Sequence, residues 1–65
     1  MDMKVEIGWA ENNFLLRDID ELVSMHAKEA YIDGDKGILI IIDPDEFLLE
    51  ELENRGIKFK KVGEG

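Results

Sequence analysis

Sixteen acidic side chains and one histidine are the groups in this chain best suited to chemistry, and no cysteine accompanies them. Two acidic pairs stand out by their spacing. Asp43 and Asp45 flank the only proline, directly after the aliphatic run Ile38-Leu39-Ile40-Ile41-Ile42, and Asp33 and Asp35 flank Gly34 upstream of it. Hard divalent cations take carboxylate oxygens as ligands, so Asp43 with Asp45, and Asp33 with Asp35, are candidate metal ligands. His26 is a candidate general base. It has no evident nucleophile to serve, because cysteine is missing and the lone serine, Ser24, is expected on the other side of the same helix. Trp9 is a candidate for stacking a ring or for sitting in an interface.

Each acidic pair also has a reading that needs no ligand. Asp43 reads as a helix N-cap, Pro44 as the first helical residue and Glu46 as the capping-box partner three positions on. Asp45 then favours the positive end of the helix dipole. Asp33-Gly34-Asp35, followed by Gly37, is hairpin-turn chemistry. Read as a calcium loop from Asp33, the stretch has Ile38 at the sixth position and Pro44 at the twelfth, where glycine and glutamate are required. The aliphatic segment ending in Asp43-Pro44-Asp45 resembles the first motif of haloacid-dehalogenase-type phosphotransferases. That resemblance implies paired carboxylates that hold a metal and attack phosphate. It covers only these few residues, and 65 residues leave no room for that fold's other motifs. The glycines match neither nucleotide-binding signature.

The elements that must position these residues can be read from periodicity. Met3-Lys4-Val5-Glu6-Ile7-Gly8-Trp9 alternates, with Met3, Val5, Ile7 and Trp9 on one face of a half-buried strand. Glu11-Asn12-Asn13 offers a cap. From Leu15 to Ala30 apolar residues recur at spacings of three and four, which predicts an amphipathic helix. A competing reading makes Asn12-Asn13 a turn and Phe14 to Arg17 a strand, with Asp18 and Glu21 capping a shorter helix. A short strand near Ala30 to Asp33 then pairs through the hairpin with Ile38–Ile42, which is β-branched, apolar on both faces and so suited to the middle of a sheet. Pro44 to about Arg55 is the second helix, with Phe47, Leu48, Leu49 and Leu52 inward, Gly56 as its left-handed stop and Ile57 packing back. Lys58, Lys60 and Lys61 suit a closing edge strand, and Gly63-Glu64-Gly65 is expected to fray.

This order predicts a single α+β domain over residues 1–65: a two-layer, ferredoxin-like βαββαβ sandwich with two helices on one face of a four-stranded antiparallel sheet, the first and third strands central. Such an architecture hosts many functions, so function has to come from surfaces and sites. A net charge of −8 repels phosphate backbones, which argues against a nucleic-acid partner. No charged-then-apolar leader opens the chain, and no apolar run approaches the roughly 18 residues of a membrane span, so no membrane partner and a cytoplasmic location are expected. Glutamine, threonine and cysteine are absent while isoleucine, glutamate and lysine abound, a bias compatible with a thermophilic source. No cofactor is indicated.

One feature points to association. With helices on a single face, one side of Ile38–Ile42 must meet solvent, and contiguous exposed apolar surface marks an interface. Leu39, Ile41 and Trp9 are the candidate interface residues, provided theirs is the uncovered face. The alternative is that the stems of Lys4, Lys58 and Lys60 lie over the strand. The expected function is a non-enzymatic interaction module, pairing with itself as a homodimer or with another protein. A small-molecule or divalent-metal binding domain that uses the acidic pairs is the alternative.

Overall fold

The computed structural model describes residues 3–63, so the last two residues of the expected frayed end lie outside the described range. The chain runs β1 (Lys4–Gly8), a single 3-10 turn (Trp9–Glu11), α1 (Leu16–His26), β2 (Glu29–Asp33), β3 (Ile38–Ile42), α2 (Glu46–Asn54) and β4 (Lys60–Val62). The strands form one antiparallel sheet in the order β2-β3-β1-β4. The aliphatic strand β3 is therefore central, and the lysine-bearing β4 is an edge. No helix among the described residues is long and apolar enough to cross a membrane.

Register decides what each residue faces. Val5 pairs with Ile41 and Ile7 with Leu39, and these four join Ile19 and Val23 of α1, Leu48 and Leu52 of α2, and Ile57 in one core. Both helices thus cover the face that carries Val5, Ile7, Leu39 and Ile41. Because side chains alternate along a strand and paired residues share a face, Ile38, Ile40 and Ile42 lie on the open side. This settles the condition attached to the interface candidates. Leu39 is 3% exposed and Ile41 is fully buried, so both are core residues beneath the helices and not a contact surface. The open side is also less bare than expected. Ile40 stands between Glu6 and Tyr31 and keeps only 7% of its surface, while Ile38 and Ile42 are half-buried.

The first helix differs from expectation at both ends. It begins at Leu16 without a side-chain cap, because Asn12 is used elsewhere and Asn13 lies outside the first turn. Phe14 to Arg17 forms no strand. It stops at His26, short of the predicted Ala30: the Lys28 amide donates to the Ile42 carbonyl (3.0 Å), and Glu29 is already paired in the sheet. Strand pairing here overrides helical periodicity.

The second helix starts two residues later than its sequence suggests. Asp43 is not the cap. Its amide donates to the Met3 carbonyl (2.6 Å), which holds the residue to the sheet while the chain turns away with φ at +56°. Aspartate tolerates that left-handed conformation better than most residues. Pro44 is buried in the turn, and Asp45 is the N-cap, its Oδ1 accepting from the Leu48 amide (2.9 Å). The other end matches expectation: Gly56 has φ +73°, its amide donates to Glu53, and the Ile57 amide donates to Leu52. Those two bonds satisfy the last carbonyls of the helix and place Ile57 in the core.

Candidate functional site

Asp45 and His26 meet where β3 gives way to α2. The Asp45 amide donates to the His26 carbonyl (2.9 Å), and His26 Nδ1 lies 2.8 Å from Asp45 Oδ2. An ionised carboxylate only accepts, so the imidazole carries its proton on Nδ1. Phe47 lies against the ring, with centroids 4.7 Å apart at 40°. The imidazole closes the C-terminus of α1, where positive charge is favoured, and the carboxylate opens the N-terminus of α2, where negative charge is favoured. The pair is thus a bolt between two helix ends. Both Asp45 oxygens are occupied, one by the Leu48 amide and one by His26. This geometry serves the structure better than a metal or a substrate.

The Leu48 amide and His26 hold the Asp45 carboxyl below its usual value. A lowered folded-state value means that this carboxylate stabilises the fold above the unfolded-state pKa, and that the contribution is lost as pH falls through the folded one. Asn caps a helix as well as Asp does but cannot titrate. The melting-temperature advantage of the native chain over Asp45→Asn should therefore be largest near neutrality and shrink below about pH 4. Thermal melts of both chains across that range check this, and a difference that does not change with pH would be inconsistent with it.

Asp33 and Asp35 lie at the other end of β3, so the two acidic pairs do not merge. Asp33 Oδ1 accepts from the amides of Asp35 (3.1 Å) and Lys36 (3.2 Å), and its carbonyl accepts from Gly37 (2.9 Å). The loop closes on Gly37 with φ +67°, so the second glycine supplies the left-handed residue. Among the described residues no three histidine, cysteine or acidic side chains are grouped to hold a metal ion.

Trp9 leaves the strand in the 3-10 turn, packs half-buried against the core and stacks on Phe14 at 5.6 Å. Next to it, Asn12 joins two loops. Its Nδ2 donates to the carbonyls of Gly8 (2.8 Å) and Lys58 (3.0 Å), and its Oδ1 accepts from the Lys58 amide (2.7 Å).

The least protected surface is β2. Its five residues form an edge of the sheet, with Glu29, Ala30, Tyr31 and Ile32 exposed; Tyr31 keeps 48% of its surface and Ile32 53%. Glu29, Tyr31 and Asp33 pair with Ile42, Ile40 and Ile38 and so share the open face, whereas Ala30 and Ile32 pair with Ile41 and Leu39 on the helical face. There α1 stops short of the sheet edge and leaves a groove of ≈ 520 Å³ floored by Leu16, Val23, Ala27, Ala30, Ile32 and Leu39. The sequence carries a sign of this surface. Ala30-Tyr31-Ile32 is apolar with no lysine or proline, which is unusual for an edge. It is easily missed, because Ala30 also continues the helical spacing.

Compared with known proteins, the chain matches no family, no curated protein and no solved structure.

Proposed function

We propose that the chain is a non-enzymatic protein-interaction module on a ferredoxin-like sandwich, and that it takes its partner, a second copy or another protein, along the β2 edge. The alternation of elements and the strand order support the architectural part of this reading. The observation that carries the functional part is the asymmetry of the two sheet edges. β4 has three residues, of which Lys60 and Lys61 are charged and exposed, and Lys61 pairs with Val5 and so lies on the helical face. A short edge that carries lysines is how proteins block unwanted strand pairing. β2 is longer, has no lysine, carries its two charges at its ends on the open face, and adjoins an apolar groove. An edge with free backbone groups beside a pocket for alternate side chains is the setting for strand addition. His26, Asp45 and Asp33 are engaged in a cap and a turn, which favours binding over catalysis.

A photo-reactive residue in place of Tyr31 should give a discrete covalent adduct in a native lysate, with the chain itself or with another protein. Ile32→Lys should remove that adduct, and the same probe at Glu53, on the exposed side of α2, should give none. Adducts that form equally from both positions would remove the β2 edge as the interaction surface.

A further inference from the structure

We infer that the segment received by β2 is a basic strand of another protein whose side chains read basic, apolar, any, apolar, basic over five residues. The inference rests on the β2-edge reading above and adds the chemistry of the occupant.

A strand added to β2 sets its side chains directly beside those of β2 on each face, about 5 Å away between Cβ atoms. On the open face β2 offers Glu29, Tyr31 and Asp33. The outer two are acidic, so the residues opposite them should be lysine or arginine, and the one opposite Tyr31 is unconstrained. On the helical face β2 offers Ala30 and Ile32 above the groove, so the two intervening residues should be apolar. Asp20, Lys28 and Glu29 also line the groove, so its charged residues are one basic against two acidic. The net charge of −8 extends the attraction for a basic chain.

The same charges make a second copy a poorer occupant. Antiparallel self-pairing centred on Tyr31 sets Glu29 of each chain against Asp33 of the other, and like charges directly opposite are destabilising. Sliding the register by two residues avoids this but pairs fewer residues. The basic edge of a second copy does not meet the pattern either, because Lys61 lies on its inner face, where an apolar residue is needed.

The test uses the full chain and two capped peptides, Ser-Lys-Val-Thr-Val-Lys-Ser and its counterpart with glutamate at both lysines, titrated at low salt and followed by amide chemical shifts. The lysine peptide should shift the amides of residues 29–33 and of Leu16 and Val23, and should bind at least about tenfold more tightly than the glutamate peptide. Raising the salt to about 0.5 M should erase most of that preference, because exposed pairs are then screened. Changing Glu29→Lys, which spares the Asp33 turn, should lower that preference several-fold. Equal binding of the two peptides at β2 would overturn the basic pattern and leave the edge reading standing. If neither shifts β2 at about 1 mM peptide and light scattering shows a dimer that Ile32→Lys dissociates, the occupant is a second copy. That too overturns the inference and keeps the edge. A monomer that neither peptide shifts would remove both.

Discussion

Ile41→Lys should unfold this protein, whereas Ile40→Lys, one residue away on the same strand, should leave it folded. Ile41 is fully buried on the helical face, paired with Val5 and Ala30 and packed into the core that both helices share. Removing it forfeits about 3 kcal/mol of apolar burial. The ammonium that replaces it is buried without a partner, at a further cost of several kcal/mol. A domain of this length has roughly 3–10 kcal/mol of total stability, so the sum is enough to abolish the fold. At position 40 the lysine stem can lie along the open face with its ammonium in water, beside Glu6 directly across the strand pair. The expected loss there is about 1–2 kcal/mol. Far-UV circular dichroism melts and amide shift dispersion of the two variants read this directly. The reverse ranking would mean that the helices cover the other face.

The second large effect is expected at Asn12, which the sequence suggests only as part of a helix cap or a turn. Its side chain makes three hydrogen bonds to backbone groups, at Gly8 where β1 ends and at Lys58 before β4. These bonds join the start of the chain to its end across 46 residues. Each is worth about 1 kcal/mol net, and water can replace part of those at the surface, so Asn12→Ala should cost about 2 kcal/mol. For a domain of this size that lowers the melting temperature by about 10 °C. Asn12→Asp should be no better despite its similar shape, because a carboxylate cannot donate and would face two carbonyl oxygens. Chemical denaturation of the three chains checks this, and an alanine variant within about 0.5 kcal/mol of the native chain would show that the clamp carries little.

Much of the fold was legible because its signals are local. The alternation of Val5 with Ile7, the hairpin glycines and the Gly56 stop each act within a few residues, and each appears near its expected place. Boundaries were less legible where two local preferences competed. Ala27 and Ala30 continue a helical spacing, yet the Lys28 amide is taken by Ile42 and the helix ends at His26. Asp43 and Asp45 are equally good caps as residue types. The choice falls on Asp45 because Asp43 is held to Met3 and because His26, 19 positions away, reaches the second carboxylate oxygen of Asp45.

By itself the sequence indicated the order of two helices and four strands, that β3 belongs in the middle of the sheet, and that the acidic pairs fit caps and turns. Tertiary structure decided three further matters: which side of β3 the helices cover, where α2 begins, and that β2 is an unguarded edge beside a groove. The physical reason is the same for each. Ile38–Ile42 is apolar on both faces, so its pattern carries no preference between them. The outcome depends on residues brought together from β1, α1 and α2, and short-range spacing does not encode contacts of that kind.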